Sequence, residues 1–273
     1  MNKIEVKVLN EASSNPEGMM MFLARLTQRG HSVHNMDELL AMYNECMNKT
    51  DWKSSAAVSN LPHGTITRFT PITVAIVGAS RRYLAQARTH QVGVNYVSAS
   101  LQYSDYSGKA DFVVPYSILE HDAEAIISGQ VLGDFSYTGL YLTQCKSAME
   151  TYKTIASCTD NDTAGYVAPQ GLRNILIIQA NNEAWKHIIR LRCCNRNTVE
   201  TQYVTALIWK ELLNTAGGKE LFKYAGPDCV FGQCREGKMC CGTKIKQCDN
   251  PNSSIPEQLI AEKWPLLVKE DKR

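Results

Sequence analysis

The sequence contains no hydrophobic run long enough to cross a membrane. A spanning helix needs about 18 uninterrupted apolar residues, and every apolar segment of this 273-residue chain is shorter. The first residues, MNKIE, lack the apolar core of a signal peptide. We therefore expect a cytoplasmic protein with no membrane partner. The net charge is only +2, which gives no electrostatic reason to expect nucleic-acid binding.

Internal repeats and low-complexity segments are also missing. With 44% hydrophobic residues, a chain of this length can bury a core in one large domain or two small ones. We place a main domain at residues 1–220, a cysteine-rich extension at 221–250 and a C-terminal tail at 251–273. The end of that tail, 263–273, has mixed charge and is expected to be solvated.

The hydrophobic pattern predicts an α+β fold with a central antiparallel or mixed sheet and long helices. Runs rich in β-branched and apolar residues predict strands at 4–9, 69–77 and 173–179, with a candidate edge strand at 111–115. Apolar residues at helical spacing predict helices at 16–30, 36–47, 80–88, 181–192 and 199–213. The longest helical pattern covers 123–157 and is open to interruption near Gly129 and Gly133. The stretch 98–108 is expected to be irregular, and no regular strand–helix alternation is present.

Residues 61–104 carry the most informative pattern, LPHGTITRFTPITVAIVGASRRYLAQARTHQVGVNYVSASLQYS. A predicted strand leads into a predicted helix, and Arg88-Thr89-His90 follows the end of that helix. Cationic and amide donors grouped in a cleft can stabilise negative charge on a reduced flavin ring. Further along, Ser98, Ser100 and Gln102 offer donors that suit a nucleotide phosphate. Taken alone, the segment is typical of a polar helix end, and the surrounding order of elements favours a site.

This order of motifs resembles the flavin-dependent thymidylate synthase family. Members carry a His-x-Thr turn, a Phe-Thr-Phe-like strand, a helix starting Ser-Arg, and the signature Arg-His-Arg-x-x-Ser-x-Asn-Glu-x-Ser-x-Arg-Tyr. Positions that match are His63, Thr65, 72–74, Ser80, Arg81, Gln86, Arg88, Asn95 and Ser98. Gln102-Tyr103 resembles the signature's end after a two-residue insertion. The chain departs from the signature at Thr89, His90, Gly93, Tyr96 and Gln102.

A second block, NNEAWKHIIRLRCCNRNTVETQYV at 181–204, continues the resemblance. The family has Asn-Ala-Arg, then a helix ending Leu-Arg, then Ala-Gln-x-Glu. Asn181 and Leu191-Arg192 match, whereas Glu183 and the upstream Gly165 stand where the family has arginine. The resemblance makes Arg192 the predicted catalytic residue, because the family's arginine contacts and polarises the uracil ring. The alternatives are helix capping for Asn181 and contact with helix C-terminal carbonyls for Arg192.

The resemblance implies an α+β homotetramer that binds FAD and dUMP or a related pyrimidine nucleotide. NADPH and methylenetetrahydrofolate would be co-substrates, and 1–220 would be the catalytic domain, converting dUMP to dTMP by reductive methylation. The implied flavin contacts are His63, Thr65, Arg88, Thr89, His90, Asn181 and His187. The implied substrate contacts are Gln86, Arg88, Ser98, Ser100, Gln102 and Arg192. The changed positions leave two alternatives, a C5-modifying enzyme for another pyrimidine nucleotide (by hydroxymethylation, for example) and a non-catalytic flavin- or nucleotide-binding relative.

The cysteines are unevenly spread along the chain. Half of the ten lie in one short segment with the spacing C-x4-C-x5-C-C-x6-C. Four thiolates from this segment would make a tetrahedral zinc site. A pair of disulfides, which a cytoplasmic location disfavours, and free thiols are the alternatives. The candidate zinc ligands are Cys229, Cys234, Cys240, Cys241 and Cys248.

Overall fold

The computed structural model describes residues 3–11, 15–29, 33–49, 66–108, 110–129, 136–232, 234–242 and 255–269. The predicted flavin contacts His63 and Thr65 and the predicted zinc ligand Cys248 lie outside these ranges. Across the described ranges, no helix combines the length and the apolar character needed to span a membrane.

Four strands of the described chain form one antiparallel sheet in the order β1-β2-β4-β3. They are β1 (Glu5–Glu11), β2 (Pro71–Ser80), β3 (Val94–Ser98) and β4 (Arg173–Asn181). β4 is flanked on both sides, since it pairs with β2 and with β3. The start of β3 lies opposite the end of β4, with Val94 paired to Ala180. This register brings the two sequence blocks that carry the family resemblance to one end of the sheet.

The described residues also form helices of varied length. They are α1 (Pro16–Arg29), α2 (Met36–Met47), α3 (Arg81–Ala87), α4 (Tyr116–Ile127), α5 (Tyr137–Cys158), α6 (Asn161–Ala164), α7 (Asn182–Arg192), α8 (Val199–Leu213), α9 (Gly218–Leu221), α10 (Ile255–Lys263) and α11 (Pro265–Lys269). Short 3-10 turns occur at Ile66–Phe69, Gly165–Val167, Asp228–Phe231 and Gly237–Met239.

One face of the sheet is buried beneath α7 and α8. α8 packs against β1 and β2, and α7 packs against β4. Alternate strand residues such as Val74, Ile76 and Leu176 point into this layer and are fully buried. Trp185 of α7 is also fully buried, and its indole Nε1 donates to the carbonyl of Ile72 at 3.2 Å. Each such large apolar side chain contributes about 1.5–3 kcal/mol on burial, so α7 is held firmly on the sheet.

The α+β prediction is confirmed, and the sheet is antiparallel throughout its described strands. The helical pattern over 123–157 is interrupted near Gly129, as the sequence allowed, whereas Gly133 lies outside the described residues. α4 ends at Ile127, and Gly129 follows with a left-handed φ of 83°. α5 then starts from its own N-cap, because the Ser136 side chain accepts from the backbone N–H of Gly139 at 2.9 Å.

Two expectations are corrected. The candidate edge strand at 111–115 is only an isolated bridge between Phe112 and Leu172. The C-terminal residues from 263 onward are not simply solvated, since Trp264 is 3% exposed and meets Tyr203 edge-on with ring centroids 5.4 Å apart. The domain boundaries stay predictions, although Ile255 of the predicted tail also belongs to the main core.

Candidate functional site

Arg192, the last residue of α7, joins the two sequence blocks. Its Nε donates to Nε2 of His90 at 2.7 Å, and its Nη1 donates to Oδ1 of Asn197 at 3.0 Å. Its Nη2 donates to the carbonyl of Gln86 at 3.2 Å and to the hydroxyl of Thr89. All but one of the guanidinium N–H groups are therefore used. The side chain is fixed in place, and one N–H on Nη1 remains for another ligand.

The turn that receives Arg192 is anchored by Tyr96 of β3. The Tyr96 hydroxyl lies 2.8 Å from the carbonyl oxygens of both Ala87 and His90, so it donates to one or the other. Burial raises the pKa of Tyr96 to about 12, which keeps this donor protonated at neutral pH. Tyr96 stands where the family signature has glutamate. An ionised carboxylate has no proton to donate to these carbonyls, so the tyrosine serves the turn in a way that glutamate would not.

His90 is a neutral, oriented donor. Burial lowers its pKa to about 4, with further lowering by Arg192 and His187. Since Nε2 accepts the hydrogen bond from Arg192, the pattern of bonds assigns the proton of the neutral ring to Nδ1. The ring also packs edge-on against His187, with centroids 5.7 Å apart. His90 can thus donate a hydrogen bond without bringing a positive charge.

A pocket of about 670 Å³ opens beside this cluster. Four residues predicted to contact flavin line it, namely Thr89, His90, Asn181 and His187. The charged residues that line it are Arg68, Lys186, Arg190, Arg235 and Glu183. Cations outnumber carboxylates in this lining, which favours an anionic ligand.

α7 presents one polar face to the pocket. Glu183, Lys186, His187 and Arg190 follow the i, i+3, i+4, i+7 spacing of a single helix face. Burial lowers the pKa of Lys186 to about 8, and Glu183 opposes this shift, so the ammonium is still mainly charged at pH 7. The sequence prediction chose only His187 from this face. The helical spacing around His187 is the signal that would have added Lys186 and Arg190.

Asn181 and Gly93 form the rim where β3 meets α7. The Asn181 side chain accepts from the backbone N–H of Ala184 at 2.8 Å, so the alternative of helix capping is confirmed. Gly93 has a left-handed φ of 70°, and a Cβ there would lie 2.9 Å from Nδ2 of Asn181. The family's serine at this position would have both an unfavourable positive φ and a close contact with Asn181. These two effects explain why glycine replaces serine at position 93.

Arg88 and the predicted phosphate contacts form a second, separate group. Nη2 of Arg88 donates to Oγ of Ser98 at 2.5 Å. Beyond β3, Oγ of Ser100 accepts from the backbone N–H of Gln102 at 3.1 Å. Arg88 and Gln102 are exposed. Arg88 does not line the pocket that holds the predicted flavin contacts. Its implied flavin contact therefore stays a prediction, whereas its contact with Ser98 places it among the implied substrate residues.

The two blocks also meet at Glu200, in the first turn of α8. Its carboxylate accepts from the backbone N–H of Ser80 at 2.7 Å and from the Ser80 hydroxyl at 2.5 Å. The same hydroxyl accepts from the backbone N–H of Tyr83 at 3.1 Å and so caps α3. Ser80 matches the family's Ser-Arg, and Glu200 lies in the stretch 198–201 that stands where the family has Ala-Gln-x-Glu. Both residues therefore have a structural use, which is to hold α3 against α8.

Comparison with known proteins identifies the family. Residues 8–216 match the family model described as Thymidylate synthase complementing protein, Thy1. This chain belongs to the Thy1 family. Two relatives are named flavin-dependent thymidylate synthase. The Clostridium tetani protein is 25% identical over 256 residues, covering 88% of this chain and 93% of its own. The Thermococcus kodakarensis protein is 29% identical over 186 residues, covering 65% of this chain and 69% of its own.

Solved structures show the same fold at low sequence identity. A UMP/dUMP methylase, PolB from Streptomyces cacaoi bound with 5-Br dUMP, has a TM-score of 0.59 at 14% identity, covering 82% of this chain and 97% of its own. Thymidylate synthase X from Helicobacter pylori, with FAD and dUMP, has a TM-score of 0.53 at 15% identity, covering 83% and 98%. The Thy1 fold is thereby established for this chain.

This Thy1 member has a second, smaller cavity of about 250 Å³, and Arg192 lines this one rather than the larger pocket. Four thiols share its lining, namely Cys194, Cys229, Cys234 and Cys241. Among the described residues, no three His, Cys, Asp or Glu side chains are already arranged as a metal site. The zinc ligands named from the sequence therefore stay a prediction. Cys194 was not among them, because it lies far along the chain from the cysteine-rich segment.

Proposed function

We propose that this chain is a flavin-dependent enzyme that methylates a uracil nucleotide, with dUMP as substrate and dTMP as product. The observation that carries the proposal is the position of Arg192. The family resemblance predicts that Arg192 is catalytic. Arg192 donates hydrogen bonds to Thr89 and His90, which line the cationic pocket. The two blocks are about 100 residues apart in sequence, so the fold unites residues that the resemblance had linked only by role.

The residues present fit FAD. The pocket volume of about 670 Å³ lies within the usual range of small-molecule sites. Its excess of cations suits the pyrophosphate of the cofactor, and Lys186 and Arg190 on α7 are the residues that would hold it. His90 would present an uncharged N–H to an acceptor on the flavin ring. When bound, FAD would supply hydride transfer, with NADPH as reductant and methylenetetrahydrofolate as the one-carbon donor.

The chain's own part in the reaction is electrostatic positioning. The remaining N–H of the Arg192 guanidinium would donate to a uracil carbonyl where negative charge develops, and a donor that needs no reorganisation stabilises that charge most effectively. Arg88, Ser98, Ser100 and Gln102 would meet the nucleotide phosphate. None of these four residues lines the flavin pocket. We therefore expect the nucleotide to extend from them to that pocket.

Reconstitution tests this proposal. The purified protein is incubated with FAD, NADPH and methylenetetrahydrofolate, and NADPH oxidation is followed with and without dUMP while the product is identified by mass spectrometry. We expect dUMP to stimulate oxidation and dTMP to form. A protein that binds FAD but shows neither response to dUMP would contradict the proposal.

A second candidate is the modification of a different pyrimidine nucleotide. Tyr96 and Gly165 replace charged residues of the family pattern. Gly165 is buried, and a Cβ there would touch Leu101 at 3.4 Å. Fewer charges around the substrate would change which nucleotide is bound. Stimulation of NADPH oxidation by UMP or dCMP but not by dUMP would favour this candidate, as would a hydroxymethylated product. FAD binding without a response to any of these nucleotides would favour a non-catalytic relative.

A further inference from the structure

The cysteine-rich segment is docked on the loop that follows Arg192. Nη1 of Arg196, in this loop, donates to the carbonyl of Met239 at 2.6 Å. Asn197, which accepts from Arg192, also donates from Nδ2 to the carbonyl of Leu191 at 2.6 Å. The loop therefore supports Arg192 on one side and contacts the cysteine-rich segment on the other. The cavity that holds the four thiols lies between these two parts of the chain.

We propose that Cys194, Cys229, Cys234 and Cys241 bind a zinc ion that joins the loop after α7 to the C-terminal segment. Thiolates are soft ligands, and four of them around one ion make the commonest kind of structural zinc site. Three of the four come from the cysteine-rich segment and the fourth from a distant loop, so the ion would cross-link two parts of the chain.

The choice of these four follows from which thiols face the cavity. The chain has two adjacent pairs, Cys193-Cys194 and Cys240-Cys241, and only the second member of each pair lines it. Cys193 is 3% exposed and belongs to the main hydrophobic core. Cys240 accepts from the backbone N–H of Gly242 at 3.4 Å, and its thiol also interacts with that of Cys234, although it does not line the cavity. Each adjacent pair thus offers one thiol that lines the cavity and one that does not.

The surroundings of the cavity suit a tetrathiolate site. Zinc with four thiolates carries a net charge of about −2. Arg190, Arg192 and Arg196 line the same cavity with two carboxylates, Asp228 and Glu236, so cations are in excess there. Because no preformed metal group exists in the described residues, the thiols must close to zinc–sulfur distances of about 2.3 Å. Glycines at 232, 237 and 242, all at positive φ, leave the segment free to adjust. Zinc binding would therefore be coupled to ordering of this segment.

Metal analysis of single-cysteine variants tests the proposal. The full-length protein is purified under reducing conditions without chelator, and zinc is measured by mass spectrometry of the metal. We expect about one zinc per chain, lost in Cys194→Ser and Cys241→Ser and kept in Cys240→Ser. Cys158→Ser, an exposed cysteine on α5, is a further control. Circular dichroism checks that each variant is folded.

Cobalt(II) in place of zinc gives a second readout that does not depend on any variant. Reduced, metal-free wild-type protein should bind cobalt with the thiolate charge-transfer and tetrahedral d–d absorption bands. Failure of the wild-type protein to bind either metal overturns the proposal. So does full zinc in Cys194→Ser, or loss of zinc in Cys240→Ser with retention in Cys241→Ser. Zinc content is measured without FAD, so this result and that of the proposed function are independent.

Discussion

Arg192 lies where four acceptors from two distant segments converge, and this arrangement decides what a substitution will do. In Arg192→Lys a single ammonium cannot reach His90, Thr89 and Asn197 together, because it lacks the planar fork of the guanidinium. We expect Arg192→Ala and Arg192→Lys both to lower dUMP-stimulated NADPH oxidation by about 100-fold or more, the usual loss for one preorganised donor. Steady-state kinetics on FAD-loaded protein measures this. Arg82→Ala, an exposed arginine on α3, should keep normal turnover, and equal activity in Arg192→Ala would remove Arg192 from the mechanism.

Tyr96 stabilises the turn at 87–90, and this role can be tested separately from catalysis. Tyr96→Phe removes only the hydroxyl that donates to the carbonyls of Ala87 and His90. We expect the free energy of unfolding to fall by about 1 kcal/mol, the net value of one such hydrogen bond, and FAD affinity to fall with it. Urea unfolding measures the first effect. Tyr103→Phe is the matched control, because Tyr103 is 83% exposed. Equal stability of the two variants would show that the Tyr96 bond does not hold the turn.

The lowered pKa of His90 makes stability depend on pH. The unfolded chain takes up a proton on this ring near pH 6.5, whereas burial and then Arg192 delay protonation in the folded state to about pH 4. Between these values the unfolded state binds more protons, so the free energy of unfolding falls as the pH drops through this window. We expect the loss between pH 7 and pH 5 to be smaller in His90→Gln than in wild type. His121→Gln, an exposed position on α4, is the control. Parallel pH profiles for wild type and His90→Gln would contradict the assignment.

At the level of elements, the turn from α3 into β3 depends on a glycine that lies against the N-cap of α7. Gly93→Ala places a Cβ at positive φ and 2.9 Å from the Asn181 amide that caps α7. Gly129 also has positive φ but nothing within 4 Å, so Gly129→Ala isolates the backbone cost. We expect Gly129→Ala to lose about 1 kcal/mol and Gly93→Ala to lose more, as measured by urea unfolding. Equal losses would mean that the contact with Asn181 is unimportant.

The strands and helices with strong periodicity could be predicted from the sequence, and their contacts could not. β2, β4, α7 and α8 follow from β-branched runs and helical spacing. β3 was missed because Val94–Ser98 is short and its alternation is interrupted by polar residues. It is a strand because β4 supplies its hydrogen bonds, which no local signal encodes. The same limit explains why Cys194 was not grouped with the later cysteines, since only the tertiary fold brings them to one cavity.

For the candidate site, the sequence predicted the roles of several residues but not which residues contact one another. Thr89, His90, Asn181 and His187 were named together and do line one pocket. Arg88 was assigned to flavin and to substrate, and its described contact is with Ser98. Lys186 and Arg190 do not follow from the resemblance, because they lie outside its matched positions. The polar face of α7 would have revealed them from spacing alone.

At the scale of the whole molecule, one face of the sheet carries apolar side chains that nothing in the described chain covers. Val77, Val97 and Ile175 are 42%, 68% and 47% exposed on this face. A sheet with such a face usually packs against a partner, and a homotetramer of the kind implied by the family would provide one. We expect a tetramer in analytical ultracentrifugation and smaller species for Ile175→Lys. Lys219→Ala, an exposed position on α9 outside the sheet, should leave the mass unchanged, and a wild-type monomer would contradict the expectation.

The central claim is that the cationic pocket beside Arg192 binds FAD. Titration of FAD into the purified, tag-free protein, followed by quenching of flavin fluorescence and by the visible absorption of bound flavin, tests it most directly. We predict saturable binding near one FAD per chain, weakened in Lys186→Ala and unaffected in Arg82→Ala. A protein that stays colourless and leaves flavin fluorescence unchanged at saturating FAD would contradict the account.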